Sequence, residues 1–284
     1  MSWFPLTPTA PGWRLDWPAI VEAFAWVAAM AACPQDPIHH AEGDVLIHTR
    51  MVCEALIENP TWRALPEDAR SEVFAAALLH DVAKPATTRV NPGGRVSAPH
   101  HSPRGAIMAR GLLWRMGVPA EVRERICGMV LWHQVPYFCI DQPDPRRTLI
   151  RVSQTTRCDR VAMLCEADVR GRICADQARL LESIALFSML AEEEGCLTSP
   201  WPFASDHARF LWFRDPTRDP HYAAYDDTRG EVVMMSGLPG AGKDTWIRDN
   251  LPGHAVVSLD DIRAELSIHP SENQGRVIQL AKQR

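Results

Sequence analysis

Up to about residue 196 the apolar residues of this chain recur at helical spacing, and no strand-type alternation occurs before residue 230. A chain patterned in this way must bury its apolar stripes helix against helix, so this part is expected to be all-α. The expected helices are 18–32, 43–58, 67–83, 105–116, 120–132, 148–169 (open to a break) and 176–194. Pro66 opens the third of them and Pro85 stops it. A loop rich in Pro, Gly and Thr follows over 85–103.

Several polar residues extend these stripes. His48 falls on the face of Val45, Val52 and Ala55, and Asp81 follows Phe74, Ala77 and Leu78. His133 follows Ile126, Met129 and Val130, and Asp168 follows Val161, Leu164 and Cys165. A lone His-Asp pair such as His80-Asp81 says little, since chance supplies roughly 0.7 of them in a chain of this composition. Convergence says more. Burying carboxylates and imidazoles is costly unless they pair or hold a metal, and this mixture of donors suits Mn, Fe, Co, Ni or Zn.

His48, His80-Asp81 and Asp168 resemble the pattern of the HD superfamily of metal-dependent phosphohydrolases. The segments FAAALLHDVAKP, APHHSPRG, LWRMGVPAEVRERI, the pair Trp132-His133 and CEADVRGR are similar to the HD domain of bacterial CCA-adding tRNA nucleotidyltransferases, over about residues 40–175. The resemblance implies that His48, His80, Asp81 and Asp168 hold one divalent metal ion. It implies that Asp81 bridges to a second ion held by His101 and His133. His100 competes with His101, which is preferred for its spacing to Gly105. Lys84 stands where the family often carries a lysine after a glycine, here replaced by Ala83, and is expected to neutralise a phosphate oxygen in catalysis beside Asp81. A helix C-terminal cation is the plainer reading of Lys84.

From Glu231 the pattern changes. A short apolar run, 231–236, leads into Gly237-Leu-Pro-Gly240-Ala241-Gly242-Lys243-Asp244-Thr245, then a helix over 242–250, a second strand-like run at 255–259 and another helix. This is the start of an α/β domain with a phosphate-binding loop. Glycines let backbone N–H groups turn inward, the helix N-terminus faces the anion, and Lys243 reaches the phosphates. Asp244 stands where a hydroxyl residue is usual; Thr245 is the substitute for it. GLPGAGKDTW followed by SLDDIR resembles polynucleotide 5′-kinases of the P-loop class. The resemblance implies that ATP and Mg²⁺ are bound, that Asp260 is the general base and that Arg263 contacts the acceptor phosphate. Capping of a helix by Asp260 and Asp261 is the alternative. Roughly 54 residues run from Glu231 to Arg284, whereas a kinase domain needs roughly 150, so the kinase part is expected to be truncated.

The expected organisation is thus a helical domain over 1–196, a linker or docking segment over 197–229 and the first part of a P-loop kinase domain over 230–284. The combination resembles the bacterial HD-Pnk RNA end-healing enzymes. It implies removal of 2′,3′-cyclic or 2′/3′ phosphate from RNA ends, coupled to phosphorylation of 5′-OH ends. Hydrolysis of free cyclic nucleotides beside an inert or regulatory P-loop is the alternative.

Composition narrows the setting. The net charge of −5 announces no global nucleic-acid field, so an RNA end would need a local groove, for which Arg89, Arg95, Arg104, Arg146, Arg147 and Arg151 are candidates. Only three of the 30 basic residues are lysine, Lys84, Lys243 and Lys282, which singles out the first two, because an ammonium and a guanidinium are not interchangeable. No apolar run reaches 18 residues, the first 11 residues do not read as a secretory signal, and the eight cysteines form no Cys-x-x-Cys. A cytoplasmic protein with reduced thiols and no membrane partner is expected.

Overall fold

The computed structural model describes residues 4–284. They form two units, one running to Ala224 and the other Tyr225–Arg284.

The first unit is mostly helical. It begins with α1 (Trp17–Ala23) and α2 (Ala25–Ala28), which together occupy the single helix expected over 18–32. α3 (Val45–Glu58), α4 (Pro60–Arg63), α5 (Glu67–Leu79) and α6 (Lys84–Thr87) follow. A two-stranded hairpin, β1 (Arg89–Val90) and β2 (Val96–Ser97), interrupts the helices, paired antiparallel with Arg89 opposite Ser97. The sequence showed no strand here because two residues per strand carry no period to detect. Then come α7 (His101–Arg115), α8 (Ala120–Trp132), α9 (Val135–Phe138), α10 (Pro145–Ser153), α11 (Cys158–Arg170), α12 (Gln177–Glu193) and α13 (Asp206–Arg214).

α5 lies at the centre, touching α3, α8 and α11. Its length from Val73 to Leu79 is fully buried, so it shows no polar face. Glu67 and Asp68 in its first turn favour the helix start through the macrodipole, and three successive alanines keep propensity high. The helix ends at Leu79, four residues short of the expected end. His80 caps it, and the chain turns through 80–83 before α6, inside whose first turn Pro85 sits. A proline is tolerated there because no helical partner is needed for its missing N–H. Around α5 an aromatic layer forms: Phe4 stacks on Phe24 at 5.5 Å and meets Phe74 at 6.3 Å, and Trp62 lies 6.5 Å from Phe74.

The contact of α11 with α3 depends on Gly171. A Cβ at this position would lie 2.7 Å from the Val52 nitrogen and 2.9 Å from its Cα. Since that obstacle is backbone, it cannot rotate away. Gly171→Ala is expected to destabilise the unit by about 1–3 kcal/mol or more, read as a lower urea midpoint, whereas Gly111→Ala, whose nearest neighbour is the end of the Arg115 side chain at 3.6 Å, should be neutral or stabilising. Equal midpoints for the two variants would contradict the close approach.

Residues 197–224, expected as a linker or docking segment, lie against the helices of the first unit. The Trp201 N–H donates to Ser153 Oγ (3.1 Å). Arg147 donates to the carbonyls of Trp212 (2.7 Å), Asp215 and Pro216 and lies 4.1 Å over the Trp212 ring. Arg146 lies over Trp201. These two arginines are therefore committed to the protein's own chain rather than to a groove for RNA.

The second unit corrects one expectation. Residues 231–236 and 255–258 form no strand; Val232 is 91% and Met234 88% exposed. A strand needs neighbours to take up its backbone groups, and among the described residues of this unit none is in extended pairing. The helices are present: α14 (Lys243–Asn250), α15 (Leu259–Leu266), which takes up the last residue of the second expected strand, and α16 (Gly275–Ala281). α15 and α16 touch, burying Ile262 and Val277. Among the described residues no helix is long and apolar enough to cross a membrane, and all eight cysteines are free.

Candidate metal centre

The ends of five helices meet at one buried point. His48 sits at the start of α3 and His101 at the start of α7; His80 caps α5, His133 caps α8, and Asp168 lies in the last turn of α11. Asp81 follows His80 in the turn. All six side chains are buried.

Two groups of donors are joined through Asp81. In the first, His48 Nε2 lies 3.1 Å from Asp168 Oδ1 and 3.4 Å from His80 Nε2. Asp81 turns Oδ2 toward it, 3.2 Å from His80 Nε2 and 3.7 Å from His48 Nε2. Its other oxygen, Oδ1, faces the second group, 3.5 Å from His101 Nε2 and 4.0 Å from His133 Nε2. The six residues singled out by the sequence are thus brought together. His100 is not among them: it is exposed, in a left-handed conformation (φ 58°) at the N-cap of α7, and faces another cavity beside Arg89 and Arg104.

The orientation of the imidazoles has a local cause. His80, His101 and His133 each donate Nδ1–H to the carbonyl three residues earlier, Ala77, Ala98 and Val130, at 2.7, 2.8 and 2.7 Å. A carbonyl only accepts, so in the neutral ring the proton is on Nδ1 and Nε2 carries the lone pair. His48 is held instead by Glu42, whose Oε1 lies 2.9 Å from its Nδ1. This carboxylate–histidine arrangement fixes tautomer and ring direction in metal sites. Glu42 is shared, receiving His40 Nδ1 at 2.8 Å and the Ile173 N–H at 2.8 Å.

Burial would push the Asp81 carboxyl up, but Lys84 and His80 outweigh it and hold it well below the usual carboxylate range. Asp168 is likewise held down against its burial, by Arg172 and His48. His133 is pushed down to about 3, chiefly by burial and by the neighbouring His80 and His101. His80 is raised despite burial, because Asp81 and Asp168 favour positive charge at its Nε2. A cation placed there by any means would meet the same field.

The residues fit a divalent metal. Asp81 Oδ1, His101 Nε2 and His133 Nε2 are buried with no hydrogen-bond partner, and their donor atoms lie within 4.8 Å of one another, as do those of His48, His80 and Asp168. Three orphaned polar atoms facing one point are expensive unless something occupies it.

Sequence reasoning missed the outer layer. Arg172 grips Asp168 with both arms (Nε–Oδ1 2.9 Å, Nη2–Oδ2 2.6 Å), and the Tyr137 hydroxyl donates to the same carboxylate. Arg172 is four residues past Asp168, a spacing that could have exposed it. Lys84 lies next to Asp81: its Nζ donates to Asp81 Oδ2 and to Gln35 Oε1, both at 2.7 Å. A cleft of about 310 Å³ opens over this layer, with Lys84, His101, Tyr137 and Arg172 at its floor and Arg95 and Arg179 on its walls.

Residues 44–164 match the family model of the HD domain. This segment is an HD domain. HD domains belong to a family of metal-dependent phosphohydrolases and bind divalent metals, in keeping with the two donor groups here. Asp168 and Arg172 stand just beyond the matched segment. The HD domain is similar to parts of longer proteins. The chain is 30% identical over 165 residues (56% of this chain, 38% of the relative) to the Multifunctional CCA protein of Xanthomonas axonopodis pv. citri. It is 33% identical over 116 residues (40% and 25%) to that of Halorhodospira halophila. It is 42% identical over 73 residues (25% and 16%) to the CC-adding tRNA nucleotidyltransferase of Thermus thermophilus. The chain therefore spans well under half the length of these relatives.

In the second unit, Gly240 and Gly242 take left-handed conformations (φ 74° and 83°), and Gly242 caps α14. Lys243 Nζ donates to the carbonyls of Gly237 and Leu238 (3.0 and 2.9 Å), folding back over its own loop. Ala241, Asp244 and Thr245 flank it at the exposed start of the helix. Asp260, in the first turn of α15, pairs with Arg263; the cap of that helix is Ser258, which accepts the Asp261 N–H, so neither aspartate caps it.

Proposed function

We propose that this chain removes 2′,3′-cyclic or terminal 2′/3′ phosphate from RNA ends with its HD domain. The observation that carries this reading is the Asp81 carboxylate, one oxygen turned to His48 and His80 and the other to His101 and His133, next to a cleft that its neighbours Lys84 and His101 line together with Arg95. His48, His80, Asp81 and Asp168 would hold one divalent ion of the Mn, Fe, Co, Ni or Zn class, and Asp81, His101 and His133 a second. The chemistry supplied there is activation of water and neutralisation of phosphoryl charge. Lys84, already aimed at the cleft, gives a fixed positive charge to a phosphate oxygen entering it. Arg172 and Tyr137 hold Asp168, and Glu42 holds His48, so the ligand set stays oriented while substrate exchanges.

The loop at 237–245 supports a second proposed activity, transfer of phosphate from ATP to a 5′-OH end. Gly237, Gly240, Ala241, Gly242, Lys243, Asp244 and Thr245 would cradle the ATP phosphates with Mg²⁺, Asp260 would take the hydroxyl proton and Arg263 would hold the acceptor phosphate. Lys243 resting on its own loop carbonyls is a donor awaiting an anion. Broken RNA presents both kinds of end, which makes the pairing chemically coherent. The size of the cleft, near that of one nucleotide, favours a second reading, hydrolysis of free cyclic nucleotides.

The test offers an RNA ending in 2′,3′-cyclic phosphate, and separately nucleoside 2′,3′-cyclic phosphates, with Mn²⁺, Co²⁺ or Ni²⁺. Turnover of the RNA end is expected; turnover of nucleotides alone would favour the second reading, and turnover of neither would end both.

A further inference from the structure

The cleft over the metal centre does not stop at Phe138. A second cavity of about 320 Å³ is lined by this side chain as well, and the two share Phe138 and Gln134. Their linings differ in kind. The first carries charge on its walls and floor: Lys84, Arg95, Arg172 and Arg179, with Asp36 and Asp176. The second carries none. Leu131 and Val135 supply apolar surface, and Ser102, Gln134 and Thr148 supply uncharged hydrogen-bonding groups.

A nucleic acid divides its chemistry in the same way. Phosphate calls for lysine and arginine; a base calls for an aromatic face and for amide or hydroxyl groups at its edge. Phe138 is 49% exposed between the two cavities. It is not free to wander, because it ends α9 and packs edge to face on Tyr137 (6.0 Å), whose hydroxyl is tied to Asp168. The aromatic face is thereby registered against the metal centre.

We propose that the second cavity is a subsite for the base of the penultimate nucleotide, stacked on Phe138, while the terminal nucleotide presents its phosphate in the first cleft. The substrate is then an RNA end of at least two nucleotides rather than a mononucleotide. This deepens the RNA-end reading and rests on it.

The test compares kcat/KM of the full chain with Mn²⁺ on a dinucleotide and on a mononucleotide, each ending in 2′,3′-cyclic phosphate. Stacking of one base should favour the dinucleotide by about 10-fold or more. Phe138→Ala should bring that ratio toward 1, and Thr148→Trp, which fills the second cavity from α10, should do the same. Equal kcat/KM for the two substrates in the unaltered chain, or a ratio indifferent to both substitutions, overturns the subsite while leaving the phosphohydrolase reading intact. If neither substrate turns over, the RNA-end reading fails, and binding still decides the subsite. A dinucleotide with 2-aminopurine at the penultimate base should lose fluorescence on binding the full chain and not on binding Phe138→Ala. Unchanged fluorescence in both overturns the stacking.

Discussion

Asp81→Ala is expected to lower phosphohydrolase kcat/KM by roughly 10³-fold or more, about 4 kcal/mol of transition-state stabilisation, and to reduce bound metal in both donor groups at once. Among the described residues Asp81 is the only side chain whose two oxygens divide between them, Oδ2 toward His48 and His80 and Oδ1 toward His101 and His133. His133→Ala should act differently, weakening only the group it shares with His101 and Asp81. Metal counting by mass spectrometry of the folded protein separates the two outcomes. The fold itself should survive Asp81→Ala, because His80, His101 and His133 are held by backbone carbonyls and His48 by Glu42, none of them by Asp81 alone. Retention of two ions by Asp81→Ala, with a normal circular-dichroism spectrum, would remove Asp81 as a bridge.

The second large effect concerns stability. Arg172→Ala should cost about 3–5 kcal/mol in the metal-free protein, since it leaves the buried Asp168 carboxylate without its main counter-charge. Tyr137→Phe removes a neutral donor from the same carboxylate and should cost about 1–3 kcal/mol. The sign of the metal effect is diagnostic. Arg172 and a metal ion draw on the same carboxylate, so Mn²⁺ should raise the urea midpoint of Arg172→Ala more than that of the unaltered chain. Equal increments would mean that Asp168 is not a ligand.

How much of this was legible beforehand follows the range of the signal. His48, Asp81, His133 and Asp168 were visible because each continues the apolar stripe of its own helix, a local regularity. His101 over His100 was not separable from helical spacing; the difference is a single left-handed residue at the N-cap of α7. Glu42 and Gln35 reach the site from an irregular segment before α3, where no period exists to betray direction. The expected strands at 231–236 and 255–259 failed for a different reason. An apolar β-rich run predicts a strand only on condition that partners exist, and pairing is a property of the surroundings rather than of the run.

The anchoring of His80, His101 and His133 to carbonyls of their own turns has a consequence for how such a site can change. The hands that would grip the ion are fixed by the chain's own winding, so the chemistry and the architecture are separable inheritances. A descendant could exchange one imidazole for an amide and fall silent as an enzyme while keeping every helix in place. The reverse loss, architecture without chemistry being spared, would follow from the narrow crossing at Gly171, where one methyl group is enough to pry α3 from α11.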